Sequence, residues 1–215
     1  IVDGKAVKIV DRLEFSRANF TLEKSWRPPT TEGAKIAAFT FGRFNPPTTG
    51  HELLINKVKE FAAGNDYFVF PSHTTDKKGK NPLTAEQKVT LMKMMFPSHK
   101  DSIIFDAGVR DAIKALKWLE DKGYTDAIFV VGSDRVKEFK DSLHKYNGVK
   151  GKHGHYDFRK ITVHSAGHRD PDAEGSEGMS GTKMRQHAAS GNYKEFKKGV
   201  PEHVADNHAK ELYHD

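Results

Sequence analysis

The chain has 215 residues, 36% hydrophobic and 30% charged, and contains no cysteine. This excludes a disulfide framework, a thiolate metal site and a cysteine nucleophile, and no run approaches the ~18–20 apolar residues that cross a bilayer. The net charge of +6, with twelve histidines left uncounted, suits anionic partners such as nucleotides, phosphorylated metabolites or nucleic acid, and equally a solvated lysine-rich surface.

Residues 1–34 lack sustained periodicity and close on the Pro/Gly-rich connector SWRPPTTEGA. They are expected as an N-terminal extension, with a short strand in KAVKIV, ahead of a main domain at 35–215. No secretory pattern opens the chain, and the expected compartment is a reducing, cytoplasmic one. From Lys35 the pattern becomes regular. KIAAFTF reads as a buried strand, and HELLINKVKEFAAG as an amphipathic helix closed by Gly64. DYFVFPS is a strand, and PLTAEQKVTLMKMMF a helix capped by Thr84. SIIF is a short strand, VRDAIKALKWLEDKG a helix, DAIFVVGS the clearest buried strand, and DRVKEFKDSLHKY the helix after it. KITVHSA is the last strand, followed by helices in GTKMRQHAASG, YKEFKKG and PEHVADNHAKELY. The alternation predicts an α/β fold: a Rossmann-like, doubly wound parallel sheet of about five strands with helices on both faces and C-terminal helices beyond it. Ligands bind at the carboxyl ends of such strands, which directs attention to 42–51, 71–84, 132–135 and 165–182.

The turn GRFNPPTTGH is the most informative. Gly42 permits close approach of backbone to a ligand, and Pro46 and Pro47 stiffen the loop. Thr49 and Gly50 fall where the unpaired N–H groups of a helix start emerge, which makes an anion site. His51 adds a side-chain donor in the same turn, suited to the charge that develops on phosphoryl oxygens. A plain helix-capping loop with an incidental histidine is the competing explanation. SGTKMR repeats the idea: Ser180 as cap, Gly181 for phosphate approach, Thr182 for its hydroxyl, and Arg185 one turn on for a forked grip. An ordinary capped surface helix competes here too.

GRFNPPTTGH resembles the first signature of the HIGH-type nucleotidyltransferase superfamily, which includes nicotinamide mononucleotide and phosphopantetheine adenylyltransferases and cytidylyltransferases. NPLTAEQK, VVGSDR, MSGTKMR and GNYKEFKKGVP resemble its later motifs in order, from about Lys35 to Pro201. The resemblance implies a nucleotidyltransferase domain over 35–215 that moves a nucleoside monophosphate from ATP or CTP to a phosphate-bearing acceptor. It implies His51, Thr48, Thr182 and Arg185 as catalytic. Gly42, Arg43, Phe44, Asn45, Gly50, Gly132, Asp134, Ser180 and Gly181 would bind nucleotide, and Asn81, Thr84 and Lys88 the acceptor. Mg²⁺ would be carried mainly on the substrate phosphates, with no dedicated protein metal site. A helix cap at Ser133 or Asp134, and a solvated loop at Lys77, Lys78 and Lys80, are the competing explanations there.

Some residues depart from the pattern. Thr48 stands where many members carry a first histidine, as in the pantetheine type. Asn45 replaces an aspartate or glutamine, and Lys88 replaces an arginine of the archaeal type. The lead of MSGTKMR lacks the arginine-threonine of cytidylyltransferases, which favours ATP. The stretch SAGHRDPDAEGSEGMSGTKMRQ is similar to phage-encoded proteins described as cytidylyltransferase-like. DPDAEG is no calcium loop, because its twelfth position is Gly181 rather than a glutamate, and HGH is too short for a metal site. The stripe Met92, Met94, Met95, Phe96 reads as core. Two rivals stand: a cytidylyltransferase for a phosphorylated sugar or alcohol, and an inactive fold used as a basic binding module. Nucleic acid is disfavoured as a partner by the lack of interleaved aromatic and basic residues. A homo-oligomer is compatible with the family.

Overall fold

The computed structural model describes residues 33–76, 81–150, 155–167, 179–204 and 206–214. Most of the expected extension at 1–34, the strand in KAVKIV, Lys77, Lys78 and Lys80, DPDAEG, and all of HGH but His155 lie outside the described residues. Four strands form one parallel sheet: β1 (Ile36–Gly42), β2 (Asp66–Pro71), β3 (Asp126–Val131) and β4 (Lys160–Ser165), in the order β2-β1-β3-β4. β1 and β3 are central, and their near-continuous apolar sequences fit burial on both faces.

Helix α1 (Thr49–Ala62) follows β1, α2 (Ala85–Met95) follows β2, and α3 (Ala112–Asp121) leads into β3. α4 (Val136–Tyr146) follows β3, and α5 (Gly181–Ala189), α6 (Tyr193–Lys197) and α7 (Asp206–His214) come after β4. Strand alternation divides the core. Ala38, Ile128 and Val130 pack with Val58 and Phe61 of α1 on one face. Phe39 and Phe129 stack on the other, ring centres 4.5 Å apart, against Leu116 and Leu119 of α3 and Leu143 of α4. A third cluster joins Phe44 and Ile55 to Met92 of α2, Met184 of α5 and Phe196 of α6. As expected, Met92, Met95 and Phe96 are core.

Two expectations are corrected. The strand expected at 102–105 is reduced to one parallel bridge, Ile103 with Val69, so the sheet has four strands. The Val69 N–H donates to the Ser102 carbonyl (2.8 Å) and the Ile104 N–H to the Val69 carbonyl (3.0 Å). The chain then turns at Asp106, whose carboxylate accepts from the Gly108 N–H at 2.8 Å, an Asx-type turn that ends pairing. The last helix begins at Asp206 instead of near Pro201, because residues 201–204 form a turn closed by the Val204 N–H on the Pro201 carbonyl. The sheet order reverses between β1 and β3. Their carboxyl ends, Gly42 and Val131–Gly132, therefore border the crevice where such a fold takes its ligand.

Candidate active site

Helix α1 starts with a capping box. The Thr48 hydroxyl accepts from the His51 N–H at 3.3 Å, and the Thr48 N–H donates to His51 Nδ1 at 3.0 Å. A backbone N–H can only donate, so the neutral ring carries its proton on Nε2. The Phe44 ring lies 4.9 Å from the imidazole, centre to centre, and supports it from below the loop. Thr48 is fully buried, and its hydroxyl also lies 3.3 Å from the Met179 carbonyl. The hydroxyl is thus engaged as the cap that orients His51. Thr49 is engaged too: its N–H donates to the Gly199 carbonyl at 3.0 Å. The Gly50 N–H remains as a first-turn donor without a partner among the described residues.

Helix α5 starts beside it. Ser180 caps by accepting from the Lys183 N–H at 3.0 Å, and the Gly181 and Thr182 N–H groups have no partner among the described residues. The space that a Cβ would need at Gly181 is filled by backbone: it would meet the Asn45 carbonyl at 3.1 Å and the Pro46 carbonyl at 3.2 Å. Gly181 therefore lets the two helix starts touch. Arg185 ties the same contact from above. Its Nη1 donates to the Asn45 carbonyl and its Nη2 to the Thr182 hydroxyl at 3.2 Å.

Other residues of the first turn are structural. Phe44 has φ +45° and a buried ring in the core, so its side chain is not a nucleotide contact. Asn45 is buried, donating to the Leu83 carbonyl (3.1 Å) and accepting from the Leu83 N–H (3.2 Å). Gly42 makes room for the Phe44 ring, which a Cβ would meet at 3.0 Å. Arg43, between them, is exposed.

On the acceptor side Thr84 caps α2 in a second capping box with Gln87, as its sequence position implied. Asn81 is buried, with its Nδ2 on the Asp76 carboxylate and its Oδ1 unpartnered among the described residues. Lys88 is fully buried, its Nζ donating to the Ser72 carbonyl at 2.7 Å and the Thr74 carbonyl at 2.9 Å. The ammonium is thus engaged by the loop after β2. At the β3 end a Cβ on Gly132 would meet the Asp134 carboxylate at 2.7 Å. The cap positions of the short helical turn there and of α4 are Gly132 and Arg135. Asp134 is exposed.

The electrostatics mark one concentration of positive charge. Burial, and after it the Arg43 charge, lower the Lys88 pKa to about 8. Burial and then Arg43 lower that of Arg185, opposed by Asp76. Arg43 of the β1 turn thus stands within electrostatic reach of both Lys88 of α2 and Arg185 of α5, beside two helix N-termini, an arrangement that favours a polyanion. Sequence reading missed the Gly199 carbonyl, Met179 and Asp76; only the nearness of GVP to the last motif hinted at the first.

A Rossmann-like sheet with paired, capped helix starts and clustered cations at its switch point defines a nucleotide-binding α/β protein of nucleotidyltransferase type. The family model for cytidylyltransferase-like proteins matches residues 39–187, and the chain belongs to that family. No curated protein sequence matches it. Among solved structures it is similar to the nicotinic acid mononucleotide adenylyltransferase of Plasmodium falciparum complexed with NaAD, at 19% identity and TM-score 0.53, over 83% of this chain and 97% of that one. A protein of Vibrio parahaemolyticus, provisionally assigned as a nicotinate-nucleotide adenylyltransferase, gives 16% identity and TM-score 0.51 over 83% and 98%. A bifunctional NMN adenylyltransferase/ADP ribose pyrophosphatase of Francisella tularensis gives 14% and 0.50 over 84% of this chain and 51% of that one. At these identities the likeness is one of fold.

Proposed function

We propose that the protein transfers a nucleoside monophosphate, from ATP in preference to CTP, to a phosphate-bearing acceptor. An acceptor oxygen bonds to the α-phosphorus, the bond from that phosphorus to the bridging oxygen breaks, and its electron pair leaves with pyrophosphate. The observation that carries this reading is the contact between the two helix starts, with His51 locked by the Thr48 N–H as an Nε2–H donor. In this reading the His51 Nε2–H and the Gly50 N–H stabilise charge developing on the α-phosphate, and the Gly181 and Thr182 N–H groups with Arg185 hold the β- and γ-phosphates. Arg43 supplies further positive charge. No side chain need remove a proton, because a phosphate acceptor is already an anion.

Mg²⁺ would arrive on the triphosphate and neutralise its oxygens, a mode that needs few protein ligands. Among the described residues no group of three or more histidine or acidic side chains could hold an ion by itself; Asp76, within electrostatic reach of Arg185, is a carboxylate at hand to join a phosphate-bound ion. Among the described residues no helix is long and apolar enough to cross a membrane, and the reading is of a cytoplasmic enzyme with small anionic substrates. The preference for ATP rests on the missing arginine-threonine lead of MSGTKMR.

Calorimetric binding of non-hydrolysable ATP and CTP analogues with Mg²⁺, to the wild type and His51→Ala, tests this. Micromolar binding of the ATP analogue, weakened in the variant, supports it, and a screen of phosphorylated acceptors for pyrophosphate release follows. Preference for the CTP analogue would convert the reading to a cytidylyltransferase. Binding of neither would leave a basic binding module.

A further inference from the structure

We propose that Lys88 is a positioning residue, whose buried ammonium clamps the loop after β2 and so sets the wall against which the acceptor binds. The nature of that wall rests on the function proposed above; the clamp itself does not.

A fully buried lysine needs compensation, because an ammonium taken out of water loses its solvation. Among the described residues Lys88 has no carboxylate partner, and its compensation consists of two carbonyls, Ser72 at 2.7 Å and Thr74 at 2.9 Å. These belong to a segment without regular structure, so one cation fixes two alternate peptides that no strand or helix holds. The segment is pinned at both sides of this point. The Ser72 N–H donates to the Gly42 carbonyl at 2.7 Å, and at the far end the Asp76 N–H and the Thr75 hydroxyl donate to the Asn81 carbonyl at 3.0 and 3.1 Å. Lys88 is the middle point of attachment. The charged group facing the ammonium is Arg43, from the β1 turn, and beyond it stand Arg185 of α5 and Asp76 of the loop. Guanidinium and carboxylate groups keep their charge through neutral and mildly alkaline pH. Lys88, with its pKa lowered to about 8, loses its own there, and a neutral amine bonds the two carbonyls more weakly.

Amide hydrogen exchange of residues 73–76 in the free protein, with binding of inorganic pyrophosphate and of Mg²⁺ with the ATP analogue, tests the clamp in the wild type, Lys88→Met and Lys88→Gln at about pH 7 and about pH 9. Loss of the charge-assisted bonds is expected to speed exchange at 73–76 about tenfold or more in both variants while β1 and β3 stay protected. In the wild type the same local acceleration, corrected for the intrinsic pH dependence of exchange, is expected at the higher pH, with a parallel loss of affinity; the variants should show neither pH response. Unchanged exchange at 73–76 with weakened pyrophosphate binding would make Lys88 a direct ligand and overturn the proposal, as would a pH response that survives in the variants. If Lys88→Met does not fold, the glutamine variant and the wild-type pH series still decide. Failure of the wild type to bind either nucleotide would overturn the proposed function but leave the exchange result to judge the clamp.

Discussion

The backbone N–H of Thr48 donates to Nδ1 of His51 across 3.0 Å, so one hydrogen bond fixes both the start of α1 and the tautomer of the histidine ring in its first turn. In the proposed function His51→Ala removes a donor to a charged ligand, a bond worth about 1.5–3 kcal/mol. The ATP analogue should therefore bind at least tenfold more weakly, about 1.4 kcal/mol, in calorimetry. An affinity equal to the wild type's would remove His51 from the site.

Thr48 separates capping from ligand contact. Because the hydroxyl is buried and caps α1, Thr48→Ala should cost about 1 kcal/mol of stability, read by denaturant unfolding. Thr48→Ser keeps the oxygen and should recover most of that loss. If serine restores stability but not nucleotide binding, the threonine methyl in the buried pocket matters more than the cap.

Gly181 tests the contact between the helix starts. A Cβ there must push against backbone carbonyls of Asn45 and Pro46 at 3.1 and 3.2 Å, and backbone cannot swing aside as a side chain can. Gly181→Ala should cost about 1–3 kcal/mol, the range for overpacking, and should weaken nucleotide binding by parting α1 from α5. Gly123, with φ +81° and open space around it, is the comparison: Gly123→Ala should lower stability and leave binding intact. Equal binding by Gly181→Ala and the wild type would mean that the two helix starts act independently.

These residues show how much the sequence could tell. Four of the strands, the order of the elements, the Thr84 cap and the starts of α1 and α5 were legible, because periodicity and capping are local rules that tertiary structure here reinforces. Long-range partners were not. Gly181 and Gly42 read as openings for a ligand, yet their space is taken by the Asn45–Pro46 backbone and the Phe44 ring. Lys88 read as a cation for the acceptor, and nothing in NPLTAEQK indicates that the loop at 72–74 folds over it. The strand expected at 102–105 failed for the same reason: its apolar pattern was correct, but the Asp106 turn allowed only one bridge. Family resemblance carried the motif positions but not the contacts within the fold, since those depend on segments far away in the chain.

A final prediction concerns pH and stability. His99 is buried between two polar partners, Tyr67 Oη at 2.9 Å from Nδ1 and Asn56 Oδ1 at 3.0 Å from Nε2. A neutral ring satisfies both, accepting from the tyrosine and donating to the asparagine. Burial lowers the pKa of His99 below its ordinary 6.5, and the charge of Lys59 lowers it further. The unfolded chain takes up this proton near pH 6.5 and the folded protein only at lower pH. The stability that His99 contributes is thus complete above that point and is lost as pH falls from it toward the folded value. His164, lowered by burial and by Lys140 and Lys160, adds a loss of the same sign. Thermal unfolding followed from about pH 7.5 down to about pH 5.5 should show Tm falling most steeply below about 6.5. His99→Gln, which keeps polar atoms but cannot titrate, should be less stable at the upper pH and fall less steeply, with His164 supplying part of the slope that remains. A variant whose Tm falls in parallel with the wild type across this range would show that His99 takes up its proton equally well in the folded and unfolded chains.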